Sequence, residues 1–449
     1  MKVIFLAAGR SKRMAPIPDK NFLEFCGRSL IFRQFEILTQ AGFFDFLIIG
    51  GAHNIEKLRE FAKNPETQRL FGNRKSNIVV LEQVDLDSGM AGAVLTAQSS
   101  LSDEPVLVVN SNDILDLTAF SAVLNASKDE IFESFLLAKK VSEYFPGGYL
   151  EVGADGSLST IIEKPAKGSE SSDLVNIVVH FHRNPTKLFQ YLKNTHSDRD
   201  DRYEMALSSM LHDGIRMKAV PYDDFWQAIK YPWHIFPAER HFFSEIFLKT
   251  AKKIADSADI APSAVIKGDV IIGEGVRIFD VACVNGPAYI GDGTIVANHA
   301  LVRDSFIGRN CVIGYSTEVA RSVVGNDVWF HTNYIGDSVI CDNCAFGSGA
   351  VTGNLRLDEK NVCVETHGEK IDCGSNKIGA LVGPNVRIGI NTSLMPGVKI
   401  GADTFIGSGI VVGKDIAEGS YVTGKWELEI RPNRTSMNVS AREKMRKNL

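Results

Sequence analysis

The chain has 449 residues, 44% of them hydrophobic and 23% charged, with a formal net charge of -5, which is an ordinary soluble composition long enough for two or three cores. That balance gives no general attraction to nucleic acid or to an anionic membrane, so any phosphate site must be local. No stretch reaches the roughly 18 apolar residues of a membrane span, and the opening MKVIFLAAGR lacks the length and cleavage site of a signal peptide, so a cytoplasmic protein is expected.

Through about residue 245, β-rich runs alternate with helical patterns. Val3–Leu6, Phe46–Ile49, Ile78–Leu81 and Val106–Val109 read as strands, and Leu30–Gln40 puts Ile31, Phe35 and Leu38 on one helical face before Gly42. Such alternation implies βαβ units and a mainly parallel sheet. Ligands in sheets of that kind sit beyond the carboxyl ends of the strands, which points to the loops after Leu6 and Val109. From about residue 258 an aliphatic residue recurs every sixth position, without a slip through Val382, Ile388, Leu394, Ile400, Ile406 and Val412. That period is the signature of a parallel β-helix, and the apolar edges of such a solenoid are commonly buried in a homotrimer. The period breaks between about residues 330 and 380, where repeat proteins insert functional loops. Seven thinly spread cysteines argue for reduced thiols, and the Cys341/Cys344 CxxC has no second pair at zinc spacing. The last segment carries Arg442, Lys444, Arg446 and Lys447 and reads as a solvated basic tail.

Residues 6 to 20 read LAAGRSKRMAPIPDK. A Gly turn with basic residues after a strand lets backbone N–H groups and cations hold a triphosphate; no P-loop motif occurs. The segment resembles the fingerprint of sugar nucleotidylyltransferases, LAAGxGTRM with a Lys seven residues after the Arg, although the family's Gly and Thr are Ser11 and Lys12 here. The resemblance implies nucleotide contacts from Leu6, Ala7, Ala8 and Gly9, with Arg13 on the outer phosphates and Lys20 near the α-phosphate as catalytic cations. SGMAGA at 88–93 resembles the base-binding turn and supplies Gly89, with Gln83 placed to read a pyrimidine edge. Asp113, after PVLVVNSN, falls on the Mg²⁺ ligand. Gly148, Glu163, Lys164 and Asn176 fall on the sugar-phosphate side, Glu163 toward sugar hydroxyls and Lys164 toward the phosphate. One departure stands out: the family's WxDIGxP, whose Asp is the second metal ligand, is WQAIKYP here, with Ala228 at the Asp and Lys230 at the Gly. Either Asp113 and the phosphates hold the metal alone, or the domain turns over slowly or not at all. His234 reads as structural.

FHTNYIGDS and GSGAVTGNLRLDEK resemble the acetyltransferase half of the bifunctional glucosamine-1-phosphate acetyltransferase and N-acetylglucosamine-1-phosphate uridylyltransferase family, in its archaeal-type branch. The resemblance implies that His331 is the general base and that Tyr334, Asn354 and Lys360 position the amino-sugar phosphate. Glu318 and Arg321, one coil earlier, would orient the base and grip the phosphate, and Lys377 and Ala380 would meet acetyl-CoA. The branch's second Lys is Cys363 here. The expected fold is therefore an α/β Rossmann-like nucleotidyltransferase domain (1–245), a left-handed parallel β-helix of hexapeptide repeats (246–430) and a basic tail (431–449). The expected function joins a nucleoside triphosphate, UTP or dTTP, to a sugar 1-phosphate with Mg²⁺, coupled to acetyl-CoA-dependent N-acetylation of an amino-sugar 1-phosphate. The alternatives are an acetyltransferase with an impaired first domain, or a non-catalytic assembly subunit; retention of Arg13, Lys20, Asp113 and Lys164 argues against the latter.

Overall fold

The computed structural model describes every residue except 200, 252, 426–428, 437, 438 and 447–449. The strand Lys2–Leu6 lies between Asp45–Gly50 and Val106–Asn110, parallel to both, and Asn77–Glu82 extends the parallel set. Because successive side chains on a strand point to opposite faces, Val3 and Phe5 enter one core with the helix Leu30–Gln40, while Ile4 and Leu6 enter another with the helix Gly89–Thr96. The remainder of the nine-stranded sheet runs differently from the expectation. Leu174–His182 is antiparallel to Val106–Asn110, Ser134–Lys140 and Gly148–Val152. Four strands follow one another between residues 134 and 182 without an intervening helix. A parallel return needs a long crossover, so this half of the sheet is antiparallel and the sheet is mixed.

The helix Ile235–Lys249 runs through the boundary expected at 245 and leads into the solenoid. Three parallel sheets form its walls. On the first face Ile278 pairs with Val296 and Val296 with Ile313, each coil adding the next inward aliphatic, and the three walls enclose one apolar core. The second face carries Leu301–Arg303, Glu318–Ala320 and Tyr334–Gly336; the third carries Phe306–Ile307, Val323–Val324 and Val339–Ile340. The third face meets the first domain. Ile235 and Phe242 of the helix share a core with Val339 and Leu381, and Phe243 meets Phe306 edge-on, the ring centroids lying 5.4 Å apart.

The regular coils continue to Thr352, further than the sequence period suggested, and Phe346 pairs directly with Ile388 across the inserted segment. The insertion folds into the hairpin Cys363–Thr366 with Glu369–Asp372. All seven cysteines are free. Arg442, Lys444 and Arg446 lie exposed on the short helix Val439–Arg446, and Lys447 lies outside the described residues.

Candidate functional site

The turn after the first strand is pinned at both ends. The Ala7 N–H donates to the Ile49 carbonyl at 2.8 Å, and the Ala7 carbonyl accepts from Asn21 Nδ2 at 3.2 Å and Asn54 Nδ2 at 2.9 Å. Asp19 accepts from the Asn21 N–H at 3.0 Å and from Asn54 Nδ2 at 2.6 Å, so Lys20 sits between two fixed residues. Ser11 has a φ of 51°, the left-handed backbone that Gly adopts freely, which accounts for the Gly of the fingerprint at this position. The turn lines a cleft of about 670 Å³ that brings together Leu6, Ala8, Gly9, Arg13, Lys20, Gln83 and Gly89. Ala7 is buried beneath it. Both amide hydrogens of Gln83 are used, on the Asp85 and Gly89 carbonyls at 2.9 Å each, which leaves only its Oε1, an acceptor, for a ligand.

Two ammonium groups in this cleft are perturbed. Burial lowers Lys20 to about 8, with Asp113 opposing and Arg13 adding to the shift. Burial likewise lowers Lys230 to about 8, again with Asp113 opposing and Arg13 adding. Lys230 was not assigned a role from sequence; its Nζ donates to the Pro146 carbonyl at 2.7 Å and lies 3.7 Å from the Phe145 ring centre. Both groups are charged at neutral pH and lose that charge as pH rises through about 8. The kcat/KM for pyrophosphate release, which reports the free enzyme, should therefore fall above about pH 8; a rate profile flat to about pH 10, where an ordinary lysine titrates, would contradict the assignment.

Asp113 begins the short strand Asp113–Leu115, antiparallel to Trp226–Ala228, and in that register Asp113 lies directly opposite Ala228. Trp226 Nε1 donates to Asp113 Oδ1 at 2.9 Å. Burial raises the Asp113 carboxyl, opposed by the Trp226 bond and by the Lys230 and Lys20 charges. His234 Nδ1 donates to the Ala228 carbonyl at 2.7 Å, and burial lowers that imidazole to about 4, so it is a neutral brace on this strand. Among the described residues no group of three or more His, Cys, Asp or Glu side chains could hold a metal ion. Mg²⁺ commonly keeps waters and bridges substrate phosphates with one or two carboxylates. Asp113 alone therefore fits a Mg²⁺ carried in on a triphosphate, and does not fit a protein-held two-carboxylate site.

The adjoining chamber joins Asp113 to Gly148, Glu163, Lys164 and Asn176. Lys164 has a φ of 45° and its Nζ pairs with Glu163 Oε1 at 3.1 Å. A Cβ on Gly148 would lie 3.0 Å from Glu163 Oε2 and 3.5 Å from Asn176 Cβ, so Gly lets those two side chains converge. Behind them runs a buried chain that sequence reasoning missed. His180 Nε2 donates to Asn176 Oδ1 at 2.8 Å, the Tyr203 hydroxyl donates to His180 Nδ1 at 3.0 Å, His182 Nε2 donates to the Tyr203 oxygen at 2.9 Å, and Ser134 Oγ donates to His182 Nδ1 at 2.8 Å. Burial holds His180 far below its usual range and His182 at about 3, and neutral imidazoles are what this donor order requires. Its effect is to engage the Asn176 oxygen and leave its NH₂ as the donor at the chamber it lines. The spacing of Asn176, His180 and His182 in LVNIVVHFH was the only available signal.

A nucleotidyl transferase family model matches residues 2–229, a GMPPB C-terminal domain model residues 249–345, and a bacterial transferase hexapeptide model of six repeats residues 379–414. A bifunctional sugar-1-phosphate nucleotidylyltransferase/acetyltransferase of Sulfurisphaera tokodaii is 30% identical over 409 residues, 88% of this chain and 93% of that protein. The chain belongs to the bifunctional sugar-1-phosphate nucleotidylyltransferase/acetyltransferase family. A bifunctional protein GlmU of Methanococcus maripaludis strain C5 is 31% identical over 405 residues, covering 88% of this chain and 90% of that protein, and one from Methanocaldococcus jannaschii is 28% identical over 403 residues with the same coverage. A solved UDP-glucose pyrophosphorylase with UDP-glucose covers 54% of the chain at 17% identity with a TM-score of 0.49. As a member of this family the protein is an enzyme, a nucleotidyltransferase joined to a hexapeptide-repeat acetyltransferase domain.

The residues expected to serve acetyl transfer fall on the second face of the solenoid and its two corners. His331 is exposed at the corner after Trp329–Phe330, its backbone N–H held by Asn333 Oδ1 at 2.7 Å, and it borders a groove with Arg387, Phe405 and Tyr421. Tyr334 follows on the second face, beside Glu318 in the ladder. At the far corner Asn354 Nδ2 donates to the Tyr334 hydroxyl at 3.2 Å and also to Asp337. Two expected roles are not what the geometry supplies. Glu318 does not orient the His331 ring; Arg303, unnoticed in the sequence, grips it with Nε at 2.8 Å and Nη2 at 2.7 Å. Arg321 is spent on Asp337, with two bonds of 2.7 and 2.6 Å, so it positions Asp337 and Asn354 before it could hold a phosphate. Lys360 is exposed in the insertion, and Lys377 lines a groove of about 640 Å³ with Arg321 and Asp337. Ala380 cannot serve acetyl-CoA directly. It is 0% exposed, its N–H donates to Ser338 Oγ at 3.0 Å and its carbonyl accepts from the Val339 N–H at 3.0 Å, because the chain re-enters the core there.

Proposed function

We propose that the first domain joins UTP or dTTP to a sugar 1-phosphate, releasing pyrophosphate, and that the solenoid transfers acetyl from acetyl-CoA to the amine of an amino-sugar 1-phosphate. The observation that carries the first half is the convergence of Arg13, Lys20, Asp113, Lys164 and Lys230 on two adjoining chambers. In the reaction a phosphate oxygen of the sugar 1-phosphate attacks the α-phosphorus in line, and the bond to the β-phosphate bridging oxygen breaks. Positioning and charge neutralisation dominate such displacements. Arg13 and Lys20 neutralise the nucleotide phosphates, Lys164 and Lys230 the incoming sugar phosphate, and Asp113 would hold the Mg²⁺, which when bound adds charge stabilisation at the phosphates.

The base preference follows from Gln83. With only an acceptor to offer, it suits the N3–H of uracil or thymine and opposes cytosine, whose N3 is itself an acceptor. The test is a matrix of sugar 1-phosphates against the nucleoside triphosphates, read by pyrophosphate release. Rates highest with CTP or ATP would overturn the base assignment, and no release from any pair would favour the second reading, an impaired first domain, for which Ala228 opposite Asp113 is the specific observation.

The assembly is proposed to be a trimer along the solenoid. Trp329, Phe405 and Tyr421 stand 56%, 49% and 75% exposed on the first face and Val411 67% exposed on the second, whereas the third face is covered by the first domain. Large apolar side chains left exposed on these two faces mark an association surface. Light scattering at micromolar concentration should give the mass of three chains; a monomer would contradict this.

A further inference from the structure

The hairpin inserted in the solenoid does not pack on the solenoid alone. Val362, Val364 and Ile371 share a core with Met14, Ile17 and Trp233 of the first domain, so the hairpin is seated against the segment that carries the nucleotide turn. The Lys399 ammonium, from the solenoid, donates to the Glu365 carbonyl and tethers it from the other side. At the tip Thr366 pairs with Glu369, and the two residues between them, His367 and Gly368, have φ of 54° and 82°. Two positive φ values are what a two-residue hairpin turn of matching twist requires.

That tip places His367 in the wall of the nucleotide cleft, together with Arg10, Lys12, Arg13, Lys20 and Lys230. Among the described residues lining this cleft it alone comes from the second domain. We propose that His367 is a phosphate-binding residue of the nucleotidyltransferase site, donating an imidazole N–H to the outer phosphates of the nucleotide and to the pyrophosphate formed from them; this rests on the nucleotidyltransferase reading above. The wall it joins is cationic, so the ligand that fills the cleft is a polyanion. Imidazole donates a hydrogen bond to phosphate when neutral and adds charge when protonated. One insertion, with Asn354 and Lys360 at its base, would then serve both reactions.

The test compares the full-length chain with His367→Asn, which suits the turn and removes the imidazole, and with Lys370→Ala, an exposed change on the same hairpin. Titration calorimetry with Mg·UTP gives affinity without requiring turnover. His367→Asn should weaken UTP about tenfold, the scale of one charge-assisted hydrogen bond, and raise the KM for the nucleotide by a similar factor with kcat changed far less, while Lys370→Ala binds as the parent does. Equal UTP affinity in the parent and His367→Asn overturns the proposal, and so does equal weakening by both variants, which would mean that only the seating of the hairpin matters. A parent chain that binds UTP in a His367-dependent way yet releases no pyrophosphate with any sugar 1-phosphate keeps the proposal and removes the catalytic reading instead.

Discussion

Asp113→Ala should lower Mg²⁺-dependent pyrophosphate release by at least about 10²-fold, the usual scale for removing a group that stabilises developing charge. Asp113 is buried, accepts from Trp226 Nε1 and lies between the Lys20 and Lys230 charges, and the position opposite it in the ladder is a methyl group. No neighbouring carboxylate is therefore in register to take over its role. Asp113→Asn separates charge from packing, because an amide oxygen can still accept the Trp226 N–H. It should lose as much activity as the Ala variant and melt at nearly the parent temperature. Turnover that survives in Asp113→Asn would sink the assignment of this residue to the metal. Ala228→Asp should lower the Mg²⁺ concentration for half-maximal rate by restoring a second carboxylate opposite the first; an unchanged metal dependence would show that Lys230 has rebuilt the site around one.

His331→Ala should reduce acetyl-CoA-dependent acetylation of an amino-sugar 1-phosphate by about 10² to 10⁴-fold, the usual contribution of a general base. An ammonium cannot attack a thioester, and a group titrating near neutrality must take its proton. The loss belongs in kcat, because proton removal matters in the transition state, whereas Lys360→Ala should act mainly on the KM for the amino sugar. Thiol release from acetyl-CoA follows both. Pyrophosphate release should survive His331→Ala, since that corner of the solenoid faces a groove bordered by Arg387, Phe405 and Tyr421 and not the nucleotide cleft. A parent chain without thiol release, or a His331→Ala variant at full rate, would leave the solenoid as a scaffold.

The parts of this protein written in local sequence were readable from it. The helix Leu30–Gln40 occupies the segment its apolar face predicted, and the six-residue period from Val382 to Val412 puts one inward residue on each of the three walls in turn, all in one core. The turn after Leu6 and the residues Asp113, Glu163 and Lys164 lie at strand ends, where short motifs and topology already point. Periodicity of burial and the backbone needs of a turn act over a few residues, so one chain suffices to show them. What only the tertiary structure decided depends on partners far apart in sequence. Arg303 took Glu318, Asp337 took Arg321, Ala380 turned into the core, His180 and Tyr203 braced Asn176, and Lys230 came to face Asp113. His367 is the extreme case, carried by a solenoid insertion to a cleft built more than three hundred residues earlier in the chain. A side chain's role is set by which charges and donors surround it after folding, and local sequence does not encode that arrangement.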